Sequence, residues 1–450
     1  MASTSISAGR AGNLTSEQET KLKEMWARIG EITGVYKDET DSANSDDSGY
    51  DSNSSASATA TAGNDKHGQT KQFQDLIKSQ SPEAIRAAAW SFIKHDNPDD
   101  GVLRFLRARK WDVNAAVVML MGALHWRTQT AHLDDDIMLK GEGGALAVTQ
   151  STSATSTEKK LAEDYLNQLR MGKSFLHNTD KEGRPIAYVR VRLHRSSQQS
   201  NQALERFIIH FIETSRFVLK PPVDTATIVF DMTNFGLANM DYTPVKLIIQ
   251  CFEANYPESL GAILIYKAPW IFQGIWRVIR GWLDPVVAGK VHFCSNIKEL
   301  EAFIAKDKII KELGGPEDFE YKYVEPVEGE NAKLLDTTTR DAIQDERNKL
   351  TEAFDRATVQ WVRGGNDGTE RTRLASLIEA NYWKLDPYIR ARSVYDRNGT
   401  IRPSSVSPAS PQQQQQQPPT HTPQLQGQPG HAEVGPAGPP PPTAFVAAEA

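Results

Sequence analysis

The 450-residue sequence predicts an α/β fold built on a mostly parallel sheet. From residue 185 to 304, short apolar runs alternate with helix-patterned stretches, as expected for strands joined by right-handed helical crossovers. Segments poor in apolar residues flank this body and dilute the hydrophobic content to 39%.

Residues 14–35 have the pattern of a short amphipathic helix. Leu22, Met25, Trp26 and Ile29 share one face, and Thr15 or Ser16 can cap it with Gln18 or Glu19 three residues on. Residues 37–72 contain no Leu, Ile, Val, Met, Phe or Trp, and 38–65 hold seven Ser and six Asp. Such a stretch cannot bury enough apolar surface to offset its ordering entropy, so it reads as a disordered linker. Ser48, beside Asp46, Asp47 and Asp51, has the surroundings of an acid-directed kinase site, with a solvated spacer as the plainer reading.

The folded body runs from Phe73 to the region of Pro326. Two helices open it. Asp99-Asp100 caps the first, which carries Val102, Leu103, Phe105 and Leu106; Asp112 caps the second, with the stripe Val117, Leu120, Met121 and Leu124. The Gly-, Ser- and Thr-rich stretch 141–157 reads as a loop. Residues 186–193, 227–232, 262–266 and 291–293 have strand patterns, and 203–219, 243–252, 271–283 and 297–304 have helix patterns. Beyond Pro326, residues 337–362 and 369–392 read as helices that pack through Leu350, Phe354, Val359 and Trp361. From Pro403 the chain carries twelve of its 24 prolines and six consecutive Gln, a low-complexity and disordered composition.

Lys and Arg total 51 against 57 Asp and Glu, a net charge of −6, which argues against a nucleic-acid partner. Cys251 and Cys294 are the only cysteines, too few for a disulfide framework and consistent with a reducing, cytoplasmic setting. The opening residues 1–13 lack an apolar h-region, and no run of 18 apolar residues occurs. There is no G-x-S-x-G elbow and no Walker A loop, and 141–146 lacks the dinucleotide-binding glycine spacing. Cys251, His210, His292 and Cys294 sit on different elements without metal-ligand spacing and read as core residues. No metal and no cofactor are expected, and an enzyme is the weakest functional class.

Two stretches carry more information. Lys267-Ala-Pro-Trp270 leads into a helix bearing Ile271, Phe272, Ile275, Trp276, Ile279, Trp282 and Leu283, interleaved with Arg277 and Arg280. This helix reads as apolar on more than a core stripe yet basic on one side. That suits one facing a greasy interior at one time and a bilayer interface at another; an ordinary covering helix of the sheet is the alternative. The second is Arg104-Phe-Leu-Arg-Ala-Arg-Lys-Trp-Asp112, a basic helix end that is either a solvated face or a phosphate holder.

These motifs and others occur in a telling order: Phe105–Asp112, Trp126-Arg127, Thr179-Asp-Lys-Glu-Gly-Arg-Pro185, Tyr256-Pro-Glu258, Ala268-Pro269, and Asp284-Pro285 through Lys290. Over roughly residues 75–325 the chain resembles the CRAL–TRIO family, in its yeast-type phosphatidylinositol transfer branch. Residues 235–241, 269–276 and 381–388, with the flanking helices, are similar to a fungal subgroup. The resemblance implies an amino-terminal helical subdomain and an α/β lobe with a large apolar cavity closed by a mobile gate helix. Six segments are then expected: a short helix (1–36), a linker (37–72), a helical subdomain (73–160), the lipid-binding lobe (161–326), a helical extension (327–402) and a disordered tail (403–450).

By that resemblance, the gate carries Trp270, Phe272, Ile275, Trp276, Ile279 and Trp282. Arg109 and Lys110 match the family's basic pair, Asp180 an acidic position near the inositol ring, Glu258 an acceptor for sugar hydroxyls, and Lys290 the lysine that meets the phosphate. Val287 stands where the family often has Thr, a change that removes one phosphate hydrogen bond worth roughly 0.5–1.5 kcal/mol. Asn234-Phe-Gly-Leu-Ala lacks the hydroxyls of phosphatidylcholine-binding members, which points to a sterol or another apolar lipid as second ligand.

The physics of a carrier fits. Exposing an acyl chain of ~16 carbons to water costs on the order of 13 kcal/mol. A carrier therefore needs a closed apolar cavity, for which Phe207, Ile208, Phe211, Val229, Phe230, Ile249, Phe252, Ile263 and Ile265 are wall candidates. The expected protein is a non-catalytic cytoplasmic monomer that binds phosphatidylinositol and visits membrane surfaces transiently. The alternative is a lipid-sensing adaptor whose linker and Pro/Gln tail bind proteins.

Overall fold

The computed structural model describes residues 6–36 and 65–402. The Ser48 site, most of the linker and the Pro/Gln tail lie outside the described residues. Five helices come first: α1 (Ser16–Ile32), α2 (Gln69–Ser79), α3 (Pro82–Ile93), α4 (Pro98–Ala108) and α5 (Val113–His125). Two more, α6 (Met138–Gln150) and α7 (Ser156–Arg170), lead to β1 (Ser174–Thr179) and β2 (Pro185–Arg190). The lobe continues through α8 (Asn201–Arg216), β3 (Ala226–Asp231), α9 (Tyr242–Gln250), β4 (Leu260–Tyr266), α10 (Phe272–Arg280), α11 (Pro285–Ala288), β5 (Val291–Cys294) and α12 (Ile297–Leu300). The extension adds α13 (Thr337–Val362), α14 (Thr369–Ile389) and α15 (Val394–Arg397).

The sheet has the order β1-β2-β3-β4-β5, parallel except for the antiparallel β1–β2 hairpin. Side chains alternate across it with period two. Ala187, Ile228, Ile263 and Ile265 face one core. Ile186, Tyr188, Val229, Ala262 and Leu264 face another, which α12 and residues 300–313 cover. Val229 thus points away from the face where the sequence reading placed it; strand alternation decides this, because its neighbours Ile228 and Phe230 take the other side.

The sequence reading needs three further corrections. The described chain resumes at Asp65, and α2 starts at Gln69, so the last residues assigned to the linker are structured. The stretch 141–157 is not a loop: most of it belongs to α6 and the start of α7. Its glycines misled, but Gly141 adopts φ 48°, and a Cβ there would meet Ala391 Cβ at 2.8 Å, so it serves a kink and a close approach. Asn97, followed by Pro98, caps α4 in place of Asp99-Asp100. Asp99 instead accepts from Trp26 Nε1 at 2.7 Å and from Arg371 at 2.6 and 2.9 Å, binding α1, α4 and α14 together.

Other expectations hold. Thr15 and Gln18 form a capping box at α1, and Asp112 caps α5. The short helix α1 buries Leu22, Met25, Trp26 and Ile29, with Trp26 set edge-on to Phe354 of α13 at 5.7 Å. At the edge strand β1, the Leu176 amide donates to the Tyr395 hydroxyl at 2.9 Å, so the extension covers a backbone group that would otherwise be free to pair.

At the centre lies Glu213 of α8, fully buried. Arg127 donates to both its oxygens, at 2.9 and 3.1 Å, Arg216 at 3.2 Å, and the Tyr256 hydroxyl at 2.9 Å; Lys94 stands 3.6 Å away. Burial alone would raise the Glu213 pKa, but Arg127, Arg216 and Lys94 outweigh it and hold the carboxyl well below its ordinary range. Its stabilising effect is therefore complete at neutral pH and is lost only as pH falls below the ordinary glutamate value toward the folded one. Glu213→Gln leaves the buried Arg127 with only the more distant Asp134 at 3.4 Å and is expected to lower unfolding free energy by about 3–5 kcal/mol at pH 7, read from denaturant midpoints. The difference from wild type should shrink in acid.

Candidate functional site

The face of the sheet bearing Ile228, Ile263 and Ile265 borders a cavity of about 260 Å³. Phe207, Ile208 and Phe211 of α8 form one wall, and Ile249 of α9 and Phe252 just after it continue that wall. The lining is overwhelmingly apolar, as a site for aliphatic chains requires. Of the wall candidates read from sequence, only Val229 is elsewhere.

Helix α10 closes one side. Phe272, Trp276, Ile279 and Leu283 line the cavity, and Phe272, Ile275 and Ile279 are buried. Gln273, Gly274, Arg277 and Arg280 lie on the exposed side with Val278. The helix is thus amphipathic, with Val278 the one large apolar side chain on its exposed side, and most of the apolar surface expected beyond a core stripe sits past its ends at Trp270 and Trp282. Trp270, before its first turn, is 86% exposed. Trp282, after its last, packs edge-on to Tyr242 at 5.1 Å and under the Lys246 ammonium.

A polar rim stands where the parallel strands begin. Glu258 precedes β4 and Lys290 precedes β5, and their charged ends are 3.9 Å apart, both partly exposed. Tyr256, held by Glu213, fixes the loop two residues before Glu258, whose φ of 55° is a left-handed bend. The Glu258 carbonyl accepts from Arg104 at 3.0 Å. Sequence reasoning missed both supports. The basic run containing Arg104 was visible, but nothing in it marked which arginine would meet the loop, and Glu213 lies on a helix with no motif.

The remaining residues divide. Asp180 is buried and its oxygens are occupied: they accept from the Glu182 and Arg184 amides at 2.9 Å and from the Thr227 hydroxyl at 2.6 Å. It shapes the β1–β2 turn. Lys110 is exposed at the end of α4. Arg109 donates to the Gln69 side chain and lies in the field of Asp284, Asp65, Asp112 and Glu253, which oppose the lowering of its pKa by burial. Val287 sits in α11, its carbonyl accepting from the Lys290 amide at 3.0 Å.

Residues 65–69 form a strap over the carboxyl end of α10. Glu253 receives Lys66 at 2.6 Å, His67 at 2.9 Å and the Asp284 amide at 2.7 Å. Lys66 also donates to the Trp282 carbonyl, and Gln69 to the Ala254 carbonyl at 3.3 Å. The Glu253 carboxyl is mostly buried, which opposes ionisation, yet His67, Lys66 and the Asp284 amide hold its pKa below the ordinary value.

Comparison with known proteins follows the same outline. Residues 169–315 match the model of the CRAL/TRIO domain, and residues 69–122 that of the CRAL/TRIO N-terminal domain. The CRAL-TRIO domain-containing protein C3H8.02 of Schizosaccharomyces pombe is 38% identical over 430 residues, covering 88% of this chain and 93% of that one. The phosphatidylinositol transfer protein CSR1 of Eremothecium gossypii is 36% identical over 445 residues, covering 88% and 98%. The crystal structure of Sfh5 aligns with 63% of this chain and 83% of its own, at 14% identity and a TM-score of 0.35, too loosely to add weight. The order of its motifs, the parallel sheet behind an apolar cavity and these full-length matches together place this chain in the CRAL-TRIO family.

Proposed function

We propose that the protein is a non-catalytic lipid carrier that holds phosphatidylinositol in the cavity behind α10 and exchanges it between membranes or presents it to lipid-modifying enzymes. The observation that carries this reading is an overwhelmingly apolar cavity with Glu258 and Lys290 at one of its edges. Lys290 supplies a cation for the phosphate, and Glu258 accepts from ring hydroxyls. Arg109 and Lys110 add positive potential from α4. Asp180 acts indirectly, by holding the turn.

Release requires the apolar face of α10 to leave the cavity, which is unfavourable in water and offset at a bilayer interface. Exposed Trp270 and the basic side of α10 suit an anionic membrane surface. No described helix is long and apolar enough to cross a membrane. We place the protein in the cytoplasm as a monomer bound only transiently to membranes. A second lipid shares the cavity.

Transfer between vesicles tests the reading. Lys290→Ala and Glu258→Gln should each reduce phosphatidylinositol transfer roughly tenfold or more with unchanged melting temperature, since a hydrogen bond to a charged group is lost. Wild-type transfer in both variants would remove the headgroup assignment. Asp180→Asn should instead lower the melting temperature, because it disrupts a buried turn. Lys66→Ala with His67→Ala should loosen the strap and speed lipid exchange, measured as the off-rate of a fluorescent phosphatidylinositol.

A further inference from the structure

The cavity has a second polar end, on the opposite edge of the sheet from Glu258 and Lys290. Lys173 directly precedes β1, opposite the carboxyl end of β2, and lines the cavity with only 5% of its surface exposed. Its ammonium has three donors. One meets His194 Nδ1 at 3.3 Å and one Gln199 Oε1 at 3.2 Å. The third takes no partner among the described residues, and none of them forms an ion pair with this ammonium.

The neighbouring charges are already satisfied. His194 Nε2 lies 3.1 Å from Asp241, so the ring donates there and offers Nδ1 to Lys173. Asp241 also caps α9, accepting from the Thr243 amide at 2.9 Å. Arg190 pairs with Glu312, and Arg192 with Asp231 and Glu312. Asn239 is committed to the Gly236 amide and to the Arg192 and His194 carbonyls. Lys173 is thus a buried cation whose direct contacts are neutral acceptors. Burial lowers its pKa to about 8, and Asp241, behind the imidazole, only partly opposes this.

A buried ammonium on an apolar cavity calls for an anion. The tail of the phospholipid is not that partner. The six residues of β3 span roughly 17 Å, and a lipid's chains span about 15 Å, half the hydrocarbon core. A phosphatidylinositol anchored at Lys290 therefore brings methyl ends toward Lys173. Choline is disfavoured there by like charge.

We propose that Lys173, oriented by His194 and Gln199, binds the carboxylate of a long-chain acid that enters the cavity with polarity opposite to the phospholipid. This rests on the carrier reading and names the chemical class of its second ligand.

The test uses the full chain, freed of lipid, with oleate and oleyl alcohol as probes and ergosterol as competitor. The wild-type protein should bind oleate roughly tenfold or more tightly than the alcohol, the size of a charge-assisted hydrogen bond. Lys173→Met should abolish that preference and Lys173→Arg should retain it, each with its melting temperature checked; Lys173→Gln replaces the Met variant if that one does not fold. Equal binding of acid and alcohol by the wild type, preference for ergosterol, or persistence of the acid preference without the lysine overturns the proposal. Phosphatidylinositol loading is measured on the same preparations. A protein that loads it but does not discriminate acid from alcohol defeats this inference alone. One that discriminates but never loads phosphatidylinositol defeats the headgroup reading and leaves this one standing.

Discussion

The buried carboxylate of Glu213 receives groups from three parts of the chain. Arg127 follows α5, Lys94 closes α3, and Tyr256 begins the loop that ends in Glu258. An unpaired charge at that depth would be prohibitive, so the helical subdomain must dock on α8 for the fold to close. Because Tyr256 is tethered there, Glu258 is held beside Lys290. A rigid rim next to an apolar void follows from this one satisfied ion cluster, and partial satisfaction would be worse than none.

The cavity itself follows from alternation. Every second residue of β2, β3 and β4 faces it, while the others build a separate dense core against α12. The wall across from the sheet is the amphipathic α10, whose interior face is apolar and whose outer face is basic. Such a helix can exchange a protein interior for a membrane interface with little change in what its two sides contact. Its carboxyl end is fastened through Glu253 to the residues where the described chain resumes after the acidic Ser/Asp segment. The strap therefore ties residues 65–69 to the carboxyl end of α10.

The alternating strands and helices, the α1 capping box and Asp112 were legible in the sequence because each is a local signal. Several features were not. β1 is short and carries His177 and Asn178, so its alternation is weak. Helix α6 was hidden by its glycines, of which Gly141 is needed for its close approach to Ala391, more than two hundred residues away. Asn97 and Pro98 were passed over for the acidic pair that follows, and Asp99 turned out to serve α1 and α14. At the site, the motif positions Glu258 and Lys290 come together, whereas Asp180 serves the turn. Glu213 and Lys173 carry no motif and Arg104 is one of several arginines in the basic run, so only the tertiary arrangement gives them partners.

The central claim is that this cavity holds an inositol phospholipid. The most direct measurement is mass spectrometry of the lipids that co-purify with the full chain from a eukaryotic host. The account predicts phosphatidylinositol in a substantial fraction of molecules, with a second lipid sharing the remaining occupancy. A folded protein that carries only lipids without inositol, or none at all, would contradict it.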